Sequence, residues 1–314
     1  MATFTTTSAV GEREDLSDII YRIDPSETPL FTAAAKETTS GVTTEWQVQE
    51  LAAAVDTNHV NEGADYSYVN PTATTRLSNV HQIAAQAASV SNTLDVVDKA
   101  GRDRETAYVK VIKGLEQRRD IEKSLFKNEA KSASDPRKTA KLMTWLTNGD
   151  KPSDMGHGTG DGSDTCDLTG TARALTLAQI EAAIKEAYED GGSPSLLVMS
   201  PANKVAFSGL SSGSVATNQI TTTAPQEAAI VGSVSMFLSD FGTVDAVVDR
   251  QAPNSEMYVI DTDYVAIGTL PGRNFAVSDV ASTGDATKFA IITEYALIVR
   301  APKAHAFIFG LNTS

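Results

Sequence analysis

Several residues in this chain are of types that do chemistry, and their spacing decides whether they can act together. Gly209-Leu210-Ser211-Ser212-Gly213 matches the Gly-x-Ser-x-Gly pattern that lifts a nucleophilic serine onto a sharp turn. That turn needs a strand before it and a helix after it. Here a helix ending near Phe207 precedes it and a Ser/Thr-rich stretch, Ser214 to Thr223, follows, so the segment reads as a loop. Ser124-Leu125-Phe126-Lys127 has Ser-x-x-Lys spacing but lies inside a long helical pattern without companion motifs.

The four histidines, His59, His81, His157 and His305, form no His-x-x-x-His pair, and none sits near Cys166 at metal-ligand spacing. Asp161, Asp164 and Asp167 occupy a Gly-rich run that lacks EF-hand spacing. Asp and Gly are also ordinary turn formers, so a solvated loop from Asp150 to Gly170 is expected, with no metal. The glycines Gly156 to Gly162 miss both dinucleotide and P-loop spacing, and no Gly-Lys-Ser/Thr follows. No catalytic, cofactor-binding or metal-binding residue is assigned.

Composition narrows the classes further. Hydrophobic residues at 41% and charged residues at 21% over 314 positions suit a folded protein with a sizeable core. One cysteine excludes an intrachain disulfide and fits a reducing cytoplasm. No run reaches the roughly 18 apolar residues that span a bilayer, and Met1 to Val10 does not read as a signal peptide. A formal net charge of −14 argues against a protein that grips nucleic-acid phosphates.

The elements follow from periodicity. Gly11 to Tyr21 is expected to form a short helix. The prolines of Asp24-Pro25-Ser26-Glu27-Thr28-Pro29-Leu30-Phe31 favour extended backbone, giving an arm that needs another surface to lie on. Val42 to Leu51 reads as a strand with Val42, Thr44, Trp46 and Val48 on one face. Asp56 to Pro71 is a polar tip, and a second extended stretch runs from about Arg76 to Val90. Together they predict a protruding hairpin that cannot bury Trp46 locally, which makes Trp46 a contact candidate.

Asp98 to Asn128 predicts a helix of roughly 45 Å, with Tyr108, Val111, Ile112, Leu115 and Phe126 on its apolar face. The stripe lapses near Arg118, Arg119 and Glu122. A helix that is polar all round crosses open space or meets partners by charge, so Arg118 and Arg119 are candidates for intersubunit ion pairs. Thr176 with Gln179 predicts a capping box for a helix ending at Gly191-Gly192. Leu196 to Met199 is expected as a buried strand, and Ser200-Pro201 opens the next helix. Val231 to Leu238, Val244 to Asp249, Met257 to Ile260 and Lys288 to Arg300 are expected strands, with Lys303 to Phe309 pairing to the last. Helix and strand mix without a βαβ rhythm, so the fold class is α+β.

Local sequence carries a resemblance. Arg13-Glu14-Asp15-Leu16-Ser17-Asp18-Ile19-Ile20 with Ile23-Asp24-Pro25-Ser26-Glu27-Thr28-Pro29-Leu30 resembles the opening of the SU10-like major capsid family of tailed phages. So do Asp135-Pro136-Arg137-Lys138-Thr139-Ala140, Val234-Ser235-Met236-Phe237-Leu238-Ser239-Asp240-Phe241-Gly242 and Thr283-Gly284-Asp285-Ala286-Thr287-Lys288 through Glu294-Tyr295-Ala296-Leu297. The resemblance implies an HK97-like capsid fold. Its parts would be an N-terminal arm (1–40), an extended hairpin loop (41–93), a peripheral domain with a spine helix (94–138), an axial domain (139–271) and a peripheral return (272–314). It implies a non-enzymatic protein without cofactor that assembles with itself, as hexamers and pentamers, into an icosahedral head around double-stranded DNA. The DNA would be enclosed without sequence-specific binding. Scaffolding, decoration and portal proteins would be separate partners, and the location would be the virion, built in the host cytoplasm without a membrane. A nanocompartment shell of the same fold is the alternative, and a serine hydrolase using Ser211 the third reading.

Overall fold

In the computed structural model, the structure describes residues 26–66, 68–98, 103–214, 235–281 and 284–312. The expected helix at Gly11 to Tyr21 and the stretch 215–234 lie outside them.

The elements in chain order are α1 (Pro29–Ala33), β1 (Ala35–Thr38), β2 (Thr43–Val48), β3 (Thr75–Val80), β4 (Gln82–Ser91), α2 (Asn92–Val96) and α3 (Glu105–Leu125). They continue with α4 (Leu177–Glu189), β5 (Leu196–Met199), α5 (Pro201–Ser214), β6 (Met236–Ser239), β7 (Gly242–Val248), β8 (Glu256–Ile260), β9 (Val265–Thr269), β10 (Ala276–Val280), β11 (Ala286–Val299) and β12 (Ala306–Phe309). The mixture is α+β.

Two five-stranded sheets and a two-stranded hairpin organise the chain. One sheet is built on β11, fourteen residues long. It pairs antiparallel with β4 from Tyr295↔Gln82 to Ala286↔Ser91, with β9, and with β10. The arm adds β1, parallel to β9. The other sheet has the order β12-β8-β5-β7-β6. Its strands β5, β8 and β12 are buried along their whole length. Strands covered on both faces read as unbroken apolar runs, and Leu196-Leu197-Val198-Met199 does. Ile180, Ile184 and Phe207 of α4 and α5 cover one face against Leu197, Met199, Met257 and Ile308. Val198, Tyr258, Phe307 and Phe309 face the other core, around Trp145 and Leu297.

Several expectations need correction. The Lys303 to Phe309 segment does not pair with β11. After the turn at Pro302–Ala304 it enters the second sheet beside β8. β9, in the stretch expected to be axial, joins the sheet of β11, so sheet membership crosses the 271/272 division. The long helix begins at Glu105 instead of Asp98, and a separate helix, α2, ends at Val96; at 21 residues the long helix spans roughly 32 Å. Val111, placed on its apolar face, is exposed.

The capping box is present: Gln179 Oε1 accepts from Thr176 N at 2.9 Å. Gly191, at φ 90°, ends α4 as expected, in the left-handed conformation that glycine adopts without cost.

Candidate assembly surfaces

The hairpin of β2 and β3 pairs Thr43↔Val80 through Val48↔Thr75 and then leaves the body. Thr44, Trp46 and Val48 share the half-buried face, as the alternation predicts, while Val42, just before the strand, is exposed. The connection from 49 to 74 is exposed throughout its described residues. It carries Leu51 at 98% exposure, Tyr68 at 94%, and Val55, Val60, Tyr66 and Val69. Nothing among the described residues covers these apolar side chains.

The hairpin base is tied down firmly. Asn79 is fully buried and all its hydrogen-bonding capacity is used. Its Nδ2 donates to Ala140 O at 3.2 Å and Leu297 O at 2.6 Å, and its Oδ1 accepts from Ala140 N at 2.8 Å and Val80 N at 2.9 Å. His81, also buried, holds Thr39 Oγ1 and Thr44 Oγ1 through Nε2 at 3.0 and 2.9 Å. Burial holds its pKa below the usual imidazole range, against the pull of Glu294. At the outer end of β2, Lys303 Nζ pairs with Glu50 Oε2 at 2.8 Å.

Trp46 departs from expectation. It is half-buried, and its ring meets the fully buried Trp145 at 5.3 Å. The body supplies a platform that the local sequence of the hairpin does not reveal. The Gly-rich stretch lies on the same platform, so it is a packed loop. Gly162, at φ 74°, approaches so closely that a Cβ would stand 2.8 Å from the Trp145 ring. Lys131 Nζ donates to Asp161 O and Ser78 O, both at 2.9 Å, joining loop and hairpin.

The arm also departs from expectation. From Thr28 to Thr38 it lies on its own chain. Leu30 and Phe31 are buried, and Phe31 meets Phe275 edge-on at 6.3 Å. The N–H groups of Leu30 and Phe31 donate to Glu122 Oε1 and Oε2, each at 2.7 Å. The first N–H groups of a helix have no partner within it, and a carboxylate satisfies two of them. Lys36 Nζ donates to Phe31 O and Ala34 O at the other end of α1.

Arg118 therefore faces its own arm. Its Nη2 donates to Thr32 Oγ1 at 2.6 Å and its guanidinium lies over Phe31. Arg119, next along, is half-buried. The polar lapse in α3 contains buried groups: Glu122 serves the arm, and Gln117, also buried, donates to Ala84 O of β4 at 2.8 Å. The Glu122 carboxylate and Gln117 Nε2 are matched to backbone groups, so hydrophobic periodicity misreads these positions as exposed.

The sequence profile of the SU10 major capsid protein family matches residues 2–312. The chain belongs to that family. The major capsid protein of Escherichia phage Phieco32 is 30% identical over 122 residues, 39% of this chain; the match spans about a third (35%) of that relative's length. Among solved structures, the capsid asymmetric unit of cyanophage A-1(L) superposes with a TM-score of 0.69 at 13% identity, covering 98% of each chain. A holo encapsulin complex from Synechococcus elongatus gives 0.54 at 9% identity, covering 94% of each. The fold of this SU10-family chain is HK97-like.

The residues considered for chemistry take structural places in this family member. Gly209 to Gly213 lies within α5, a helix that runs to Ser214, instead of in a loop; Ser211 is not on a strand-to-helix turn. Ser124 Oγ bonds Ile121 O and Tyr295 Oη, both at 2.7 Å. Asp161, Asp164 and Asp167 each close a local turn: Asp161 Oδ1 accepts from Ser163 N, Asp164 Oδ1 from Thr159 N, and Asp167 Oδ1 from Thr169 N. Among the described residues, no three His, Cys, Asp or Glu side chains are grouped to hold a metal ion. Burial pushes the Cys166 thiol up to about 11, which makes it inert. No described helix is long and apolar enough to cross a membrane.

The sequence gives no sign of the bonding roles of Glu122, Asn79 and His81. A polar residue inside an apolar period carries no mark of what it will bond.

Proposed function

We propose that this chain is the major capsid protein of a tailed double-stranded DNA phage, and that its copies tile an icosahedral shell enclosing the genome in the virion. The family match over residues 2–312 carries this reading. The exposed apolar tip between β2 and β3 supports it, because nothing among the described residues covers it. On a neighbouring copy it would bury that surface, and many such modest contacts closing on one another give a stable assembly.

In this reading the stretch of about 139–271, which supplies β5 to β8 of the second sheet, is axial and forms hexameric and pentameric rings. The stretches 94–138 and 272–314 are peripheral, 41–93 is the extended loop, and 1–40 is the arm. Arg119 meets a neighbouring copy by charge, while Trp46 and Arg118, engaged on Trp145 and on Thr32 and Phe31 of their own chain, act on neighbours only through the hairpin and the arm they hold. The role is structural, without catalysis or cofactor. The acidic balance of −14 lets DNA be enclosed without adhering to the shell. Scaffolding, decoration and portal proteins are separate chains.

Negative-stain imaging of the purified full chain tests the proposal. Closed shells, tubes or capsomer rings are expected; a monomer under every condition of salt and crowding overturns it. A cargo-enclosing nanocompartment is the second reading, favoured by the likeness to the encapsulin fold. Particles from infected cells that contain phage-length DNA select the phage head.

A further inference from the structure

We propose that Glu122 and Asp249 share one proton where α3 meets the end of β7, and that this proton governs whether Thr28 to Thr38 stays docked on its own chain. Both residues are completely buried, and their side chains lie within hydrogen-bonding reach of each other. Asp249 Oδ1 accepts from Gln251 N at 2.7 Å, while Oδ2 is buried with no donor. Two ionised carboxylates would leave that oxygen unsatisfied beside a second negative charge. One proton on Glu122 supplies the missing donor and removes the repulsion. Glu122 can still accept from Leu30 N and Phe31 N, so the arm docks on the protonated pair.

The charged groups around the pair point the same way. Lys36, from the arm, is turned to the carbonyls of Phe31 and Ala34. Arg118, from α3, is engaged with Thr32 and the Phe31 ring. Arg250, beside Asp249, is exposed. None of them hydrogen-bonds either carboxylate. Burial, then Asp249, pushes Glu122 up to about 8, and the two backbone N–H groups only partly oppose this. In the unfolded chain the group titrates near 4.5. The folded chain therefore binds the extra proton between these values, and the docked state weakens as pH rises from about 4.5 to about 8. Above that, a second negative charge enters a closed site at the root of the arm.

The device exceeds what a shell subunit needs in order to fold. It makes release of the arm root from its own subunit respond to proton concentration, through a junction where arm, spine helix and second sheet meet.

Backbone hydrogen exchange of residues 28–38, corrected for intrinsic rates, tests it on the purified full chain from pH 6 to pH 9. The expected result is a loss of protection of about tenfold for each pH unit from 6 to about 8, levelling off above that, absent in Asp249→Asn, whose amide can donate to an ionised Glu122. Protection that stays flat in the unsubstituted chain overturns the proposal. A loss of protection that survives in Asp249→Asn also overturns it and assigns the proton to Glu122 alone, raised by burial; Lys36, whose pKa burial lowers to about 8, would act with the opposite sign. If Asp249→Asn does not fold, carboxyl-13C NMR of glutamate in the unsubstituted chain replaces it. A resonance titrating near 8 supports the pair, and none titrating above 6 overturns it.

Discussion

Trp46 and Trp145 meet with ring centroids 5.3 Å apart and planes inclined at 43°. They are the chain's two tryptophans, one on the projecting hairpin and one at the centre of the body. Intrinsic fluorescence therefore reports this one contact. Replacing Trp46 by Ala removes a half-buried ring and should cost about 2 kcal/mol, below the full cost of a buried aromatic. Denaturant unfolding followed by far-UV circular dichroism measures it, with the emission of Trp145 shifting red in the native baseline. An unchanged spectrum and midpoint would show that the hairpin is held without the indole contact.

Asn79 is the stronger fastening. Asn79→Ala strips partners from Ala140 N, Ala140 O, Val80 N and Leu297 O at a site closed to water. The cost should be roughly 2–4 kcal/mol, since buried groups left unpaired lose their full desolvation energy. Asn79→Asp should be no better at neutral pH, because a carboxylate cannot donate to the two carbonyls. Denaturation midpoints of both variants decide this.

The tip of the hairpin separates folding from assembly. Changing Leu51, Tyr66 and Tyr68 together to Ser alters exposed positions, so stability should move by less than about 0.5 kcal/mol. Particle yield should fall sharply, because the same side chains supply the apolar contact between copies. Calorimetry and electron microscopy on one preparation give both answers. Normal shells from the triple variant would remove the tip from the assembly interface.

Acid should weaken the chain through His305. The ring is buried, accepts from Asp261 N at 3.0 Å, and its pKa is lowered by burial to about 4. Unfolded, it takes a proton near 6.5. The unfolded state therefore binds more protons between these values, so stability is held above about 6.5 and lost as pH falls towards 4. His305→Asn keeps an acceptor near Nδ1 and should flatten that part of the profile. An identical pH dependence would show that other groups set the acid limit.

How much was legible beforehand differs by kind of signal. Alternation groups Thr44, Trp46 and Val48 on one face of β2 without showing what covers it, and the Thr176–Gln179 spacing gives the start of α4, because both are local rules. The destination of β12 was not local. Ala306 to Phe309 has equally good strand character beside β11 or β8, and only packing against Phe207 and Ile184 over the second sheet decides. The arm was misjudged for a related reason. Two prolines spoke for extension, while the acceptor that nucleates α1, Glu122, lies about ninety residues away. As contact candidates, Arg118 was read from charge as facing outward, and the structure turns it onto Phe31.

One consequence follows from the run of β3 into β4, with only His81 between them. β4 lies alongside β11 for ten residue pairs. A tug on the hairpin tip is passed lengthwise into that ladder, where the bonds bear tension together instead of opening one after another like a zip. The most outlying part of the molecule is thus moored to its longest strand, and strain arriving from a neighbour would spread over the sheet before any single bond gave way.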